Sequence, residues 1–469
     1  MAQRLIEDWQ LAVLKVRLDL SERTPAVAAE LVGYPGGIAQ TMWSLRHPLI
    51  AYGLDSANLA ELRVPSDLQA AVAKTLLTDL RGEAALWLRL VPPYGYLGAV
   101  PWEAALIERT NLPVLRVPDR MPGARDLGRK WRAAIAISAP PTGSWAPAYL
   151  RSLVHEWVRA VPAKVEVDVF ADAWTTDSLN GVDWDALVRV HNPRKAAEAS
   201  ASPSPVSSIS DGGTVSSAIR TSSGRIWADW IAAGLAGQAV RALHIVVDGA
   251  FDGDRPMLAV ASDPSYPTTT DRSAFVSADT VLAFADGIGS AALSFSSFPN
   301  DPSGVAIRMI ADEVGQQRSG ATIYSSMAAD PTGRALAAAH AYAADRSGEV
   351  EIPRDPSLFA YLQPEQVQDS VAHNWLTVLD QVTDDEGSWS TPPVSNARST
   401  ALETYYVDAD SVPSWVASWD RYLGRETVEL AQQENSLEPT APFKKAYNVG
   451  ASVALEQLRD ILDRHTRLS

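Results

Sequence analysis

The stretch LHIVVDGAFDG, Leu243–Gly253, is an apolar, β-branched run that meets Asp248-Gly249, and AALSFSSF, Ala291–Phe298, is a second apolar run that ends in hydroxyl residues. Each reads as a buried strand whose carboxyl end empties into a Gly- or Ser-bearing turn. In open parallel sheets, working side chains gather at those carboxyl ends. Asp248, Gly249, Ser296 and Ser297 are therefore candidate site residues, with His244 four positions before Asp248 on the same strand. Positions i and i+4 of a strand share a face, but at ~3.3 Å per residue His244 lies roughly 13 Å deeper in the sheet than Asp248. It reads as a core histidine.

Outward from this stretch, strands and helices alternate. Ala133–Ala139 and Lys164–Phe170 read as strands, Ala148–Val161 as an amphipathic helix and Trp184–Val190 as a short helix. Ile226–Ala242, Thr280–Gly289, Gly304–Gln317 and Pro331–Arg346 are helical, and Ala321–Ser325 is a strand. Such alternation predicts an α/β fold, a mostly parallel sheet with helices on both faces. The segment 196–224 is rich in Ser, Ala, Pro and Gly and is expected to be a disordered or mobile insertion. Toward the amino end, Leu14–Leu20 alternates as a strand, Leu31–Ser56 shows no clear period, and Ser66–Arg81 is a helix with a capping Ser-Asp start. Leu86–Val91 is a strand, followed by a turn and a short helix at Trp102–Ile107. Three parts result: an N-terminal α/β part, 1–130; a core, 131–363; and a helical C-terminal extension, 364–469. The extension carries Trp375, Trp415 and Trp419 and a stripe of Leu455, Leu458 and Leu462. Those tryptophans suit packing against the sheet, with self-assembly as the sharper alternative.

With 469 residues, 46% hydrophobic and 20% charged, the chain has the composition of a soluble globular protein large enough for two or three units. A net charge of −16 without a basic stripe argues against nucleic acid. The absence of Cys removes disulfides, thiolate zinc sites and thiol catalysis together. No apolar run approaches a bilayer span, and MAQRLIEDWQ is not a secretory leader, so a cytoplasmic protein without a membrane partner is expected. The seven His form no zinc pattern. Asp252, Asp254, Asp263 and Asp271 match no calcium-loop order and read as turn residues. Neither Gly33–Gly37 nor Gly287-Ile288-Gly289 completes a phosphate or dinucleotide fingerprint, so no cofactor and no metal is expected.

The strand pair Leu243–Gly253 and Ala291–Phe298 resembles the paired site strands of a CHAT domain, a member of the caspase-like peptidase clan. Leu86–Leu106, with Pro101-Trp102-Glu103, and Ser319–Ala343 are similar to further segments of that family, so the resemblance runs from about Glu83 to Ala344. It implies a caspase-like fold. On this chain, residue by residue, His244 matches a non-catalytic His, Asp248 stands where the family has its His base, and Ser296 stands where it has its Cys nucleophile.

Both replacements weaken the chemistry. A Cys–His pair works because imidazole helps generate a strongly nucleophilic thiolate. A serine hydroxyl needs a better base, commonly a His fixed by a carboxylate, and a carboxylate with an ordinary pKa near ~4 is a poor one. The resemblance thus implies a pseudo-peptidase. It also implies a regulator, scaffold or sensor binding a protein or peptide partner, repeat-containing in some relatives, within a bacterial defence or programmed-death module. The alternatives are a hydrolase that uses Ser296 or Ser297 and a structural protein that self-assembles through 364–469.

Overall fold

The structure, a computed structural model, describes residues 11–362 apart from 20–24, 34–39, 55–60, 81–83, 92–93, 119–130, 140–144, 162, 197–214, 253–254, 267–272, 300–303, 319, 345–350 and 352. The strands are β1 Ala12–Asp19, β2 Ala26–Gly33, β3 Gln40–Pro48, β4 Leu86–Val91, β5 Val114–Arg116, β6 Trp131–Ser138, β7 Val165–Ala171 and β8 Leu187–His191. They continue as β9 Ala242–Asp252, β10 Arg255–Ala261, β11 Ser273–Val276, β12 Ala292–Ser297, β13 Ala321–Ser326 and β14 Leu358–Tyr361. The helices are α1 Ser66–Thr78, α2 Trp102–Thr110, α3 Ala146–Ala160, α4 Ala173–Ser178, α5 Val215–Leu235, α6 Ala278–Gly287, α7 Gly304–Gln317 and α8 Arg334–Ala344.

One sheet runs through the molecule in the order β3-β2-β1-β4-β5-β14-β13-β12-β9-β6-β7-β8, and most of its pairs are parallel. The fold is α/β with helices on both faces. Strand β6 and, apart from His244, the first six residues of β9 are mostly apolar because both of their faces are covered, whereas β12 is equally buried but half hydroxyl, with Ser294, Ser296 and Ser297. On one face Ile135, Ile137 and Val246 pack with Leu153 and Trp157 of α3 and Leu336 of α8. On the other, Leu243, Ile245 and Phe295 pack with Trp230 of α5 and Ile307 and Ile310 of α7. A third core sets Leu68, Val72, Trp102 and Leu106 against β1, β2 and β4. Chain order reverses between β6 and β9: β7 and β8 are added outward from β6, and β12 and β13 outward from β9. That reversal is where such sheets open a crevice beyond their carboxyl ends. The N-terminal part and the core share the sheet, joined where Tyr361 of β14 lies in register with Arg116 of β5.

Several local expectations are corrected. Trp184–Val190 holds a strand, β8, rather than a short helix: Leu187-Val188-Arg189-Val190-His191 alternates, and β7 offers it a parallel partner. The apparently aperiodic 31–56 contains the end of β2 and all of β3, then a 3-10 turn at Leu49–Tyr52. Nearly all of β2 is buried, which erases the period-2 signal. Of 196–224, the described residues are Ala196, which is buried, and 215–224, which form the start of α5 instead of a mobile loop. Helix propagation from the apolar turns at Ile226–Leu235 adds a hydrogen bond per residue and outweighs weak Ser and Thr propensities. Pro65, not Ser66, caps α1, and it does so without a side-chain bond. The extension 364–469, with its tryptophans and leucine stripe, lies outside the described residues.

Candidate functional site

Parallel registers put His244 beside Ser294 and Val246 beside Ser296, so these four side chains share the face that α3 covers. Tyr149 of α3 reaches down between them. Its hydroxyl lies 3.1 Å from Ser296 Oγ and 3.3 Å from His244 Nε2, while His244 Nδ1 lies 2.9 Å from Ser294 Oγ. The result is one hydrogen-bonded line, Ser294–His244–Tyr149–Ser296. His244, Ser294 and Ser296 are 0% exposed, so no substrate touches them in this conformation. Burial, reinforced by the nearby His340, lowers the His244 imidazolium to about 3 against a weaker opposing bond from Ser294. Burial likewise holds the Tyr149 phenol above its ordinary range. At neutral pH the line is uncharged: a weak base joined through a reluctant phenol to an enclosed hydroxyl. It can fix α3 to the sheet; it is poorly built to generate an alkoxide.

Asp248 and Gly249 are not in a turn. Strand β9 runs on to Asp252 because β10 folds back against it, with Asp248 opposite Ala259 and Gly249 opposite Leu258. Asp248 therefore lies one side-chain repeat past Val246, the register partner of Ser296, where β9 has passed from β12 to β10. Its Oδ1 accepts from the Gly249 N–H at 3.2 Å. Ser297 points to the opposite face, where its Oγ lies 3.1 Å from the Tyr324 hydroxyl and the start of α7 packs on it. The five sequence-derived residues thus divide into a buried pair on one face (His244, Ser296), a buried serine on the other (Ser297) and a hairpin pair beyond (Asp248, Gly249).

The crevice at the reversal point is roofed. Ala261, at the end of β10, donates its N–H to Ser138 Oγ at 2.9 Å and accepts from Trp227 Nε1 at 2.8 Å. Asp172, after β7, accepts from the Ala139 and Thr175 N–H groups at 2.9 and 2.8 Å. Burial pushes its carboxyl up to about 6 even though those amides favour the charged form. The polar groups at this mouth thus close loops over the strand ends.

A second polar centre was missed by the sequence reading. Glu103, of the Pro-Trp-Glu motif, takes Arg116 Nε at 2.7 Å and Nη2 at 3.2 Å, and Arg308 Nη2 at 2.7 Å. Arg116 also bonds Asp312, which accepts from the hydroxyls of Tyr94 at 2.7 Å and Tyr361 at 2.5 Å. Arg116 is 0% exposed and Glu103 1%, so two acids and two guanidiniums balance in the interior. Burial would raise the Glu103 carboxyl, but Arg116 and Arg308 together outweigh it and hold it below its ordinary value. The group ties α2 and β5 to α7 and β14, across the junction of the N-terminal part and the core. Only Glu103 carried a sequence signal; Arg116, Arg308 and Asp312 come from separate elements that no spacing links.

Among the described residues, no group of three or more His, Cys, Asp or Glu is placed to hold a metal ion, and no helix is long and apolar enough to cross a membrane. Asp263 serves a turn, accepting from the Ser265 N–H at 2.8 Å. No family model and no curated protein matches the chain. Among solved structures, it is similar to a point mutant of the PilB minor pilin from Streptococcus sanguinis at 9% identity and a TM-score of 0.23, over 69% of this chain and 77% of that one, a level at which no common fold is shown.

Proposed function

We propose that this chain is a catalytically inactive, CHAT-like pseudo-peptidase that works in the cytoplasm by binding a protein or peptide partner, as a regulator, scaffold or sensor. One observation carries the loss of activity: the hydroxyl at the nucleophile position, Ser296, is fully enclosed and bonded to Tyr149. The setting, a bacterial defence or programmed-death module, rests on the resemblance of the two site strands and the Pro-Trp-Glu segment. A sheet that has lost turnover can still hold an extended segment through main-chain and side-chain contacts.

A second reading is favoured by a specific contact. His244 reaches Ser296 through Tyr149, so a serine hydrolase would pass its proton along that line, with α3, which carries Tyr149, kept in place while substrate reaches Ser296. A fluorophosphonate probe on the full chain separates the two. The pseudo-peptidase reading expects no labelling; labelling that disappears in Ser296→Ala establishes the hydrolase.

A further inference from the structure

The two ends of the sheet differ. At one end β3 exposes Gln40, Thr41, Ser44, Arg46 and Pro48, a polar edge closed by a proline that discourages further pairing. At the other, β8 has β7 on one side and, among the described residues, no strand on its outer side. Its Leu187 and Val190 are 46% and 38% exposed. Two half-exposed aromatics flank this edge. Trp174 follows Ala173, whose N–H donates to Pro264 O at 2.8 Å; Tyr266 follows Ser265, whose hydroxyl donates to Pro193 O at 3.3 Å, just past β8. Apolar and aromatic side chains gathered along an open strand are the composition of an interface centre.

Charge selects the occupant. Before β8 the surface is acidic, with exposed Asp183 and Asp185; after it the surface is basic, with exposed Arg194 and Lys195. Asp185 bonds the exposed His155 at 2.6 Å, whereas Asp183, Arg194 and Lys195 have no ion-pair partner among the described residues. A strand with an acidic entry and a basic exit is complementary to itself when run antiparallel. A two-fold axis at Val190 sets that residue against its own copy and Arg189 across from His191. It also brings the Asp183/Asp185 flank of each chain beside the Arg194/Lys195 flank of the other. We infer that β8 is the edge through which two copies of this chain pair, antiparallel and isologous, continuing the sheet across the dimer.

A five-residue strand with a few flanking side chains is a small interface, and both chains carry a charge of −16, so the dimer is expected to be concentration-dependent. Sedimentation velocity of the full chain over a dilution series tests it. The wild type should shift from dimer to monomer on dilution, and at lower dilution in high salt. Val190→Lys, Asp183→Lys with Asp185→Lys, and Arg194→Glu with Lys195→Glu should each be monomeric at concentrations where the wild type is dimeric. The two charge-reversed proteins, mixed in equal amounts, should form a mixed dimer, because each then meets the opposite charge on both flanks. A wild type that stays monomeric throughout overturns the inference. So does a dimer that all three variants leave intact, which would place association on another surface such as 364–469. So does a mixture of charge-reversed proteins that remains monomeric.

Discussion

Acidification should loosen this protein through two histidines that have nothing to do with its surface. His244 and His340 are both fully buried, and burial lowers each to about 3. Trp157 Nε1 donates to His340 Nδ1 at 2.9 Å, which fixes that ring as neutral. Between pH 3 and the ordinary value of 6.5, the unfolded chain takes up protons that the folded chain refuses, so stability rises with pH across this window and falls as pH drops. Each histidine contributes a slope approaching about 1.4 kcal/mol per pH unit, so moving from pH 7 to pH 5 removes about 4 kcal/mol for the pair. Asp172 works against them: with its carboxyl raised to about 6, it gains stability on acidification, returning roughly 1.4 kcal/mol over the same interval. Urea unfolding of the wild type at pH 7, 6 and 5, beside His244→Gln and His340→Gln, isolates each part. Each variant should have a pH slope smaller than the wild type by about 1.4 kcal/mol per unit near pH 5, whatever its stability at pH 7. Parallel slopes in wild type and variants would refute the claim that these rings are buried and neutral.

Four further outcomes rest on the same packing. Arg116→Leu leaves Asp312 without a cation and Glu103 with Arg308 alone in the interior, and should cost about 3–5 kcal/mol, read as a drop in the urea midpoint. Because Arg116 and Arg308 hold the Glu103 carboxyl below its ordinary value, its contribution is full above pH 4.5 and lost as pH falls further; Glu103→Gln should flatten the stability profile there. Tyr149→Phe leaves Ser296 and His244 short of a buried partner and should cost about 1–3 kcal/mol by thermal unfolding, with no gain in fluorophosphonate labelling if no turnover is being restrained. Gly98→Ala places a methyl against the Asp312 carboxylate and should destabilise by more than the same replacement at exposed Gly287, where an added methyl meets nothing, measured as a difference in Tm.

The core strands were legible because burial on both faces writes a continuous apolar run into the sequence. Leu86–Val91 was read to the residue, and Ala133–Ala139 and the Ala291 run to within a few. What failed were elements whose state is decided by a neighbour. Strand β8 is five residues long and takes its conformation from β7; β10, β11 and β14 exist because a partner strand receives them. At Asp248-Gly249 a pair that ordinarily marks a turn is held extended by β10, an arrangement no local rule anticipates. Within the site, alternation along β9 places His244 and Asp248 on one face, but the register that brings Ser296 to that face comes from the pairing of β9 with β12, and Tyr149, 95 residues before His244 and 147 before Ser296, is brought there only by the packing of α3.

That packing bears on how such a sheet would tolerate the loss of chemistry that the proposed function assigns to it. A working nucleophile and base must be reachable, and reachable polar side chains contribute little to stability. Here the corresponding hydroxyl is spent as an internal link. Ser296 bonds Tyr149, Tyr149 bonds His244, and His244 bonds Ser294, so four polar side chains are mutually satisfied beneath α3. Removing any one leaves a buried partner unmatched, which makes the line costly to dismantle by single substitutions. Under the pseudo-peptidase reading, the nucleophile position has become part of the core, exchanging access for rigidity, while the β8 edge leaves Leu187 and Val190 exposed beside Trp174 and Tyr266. Partner recognition is therefore expected along the rim of the sheet rather than at the strand ends.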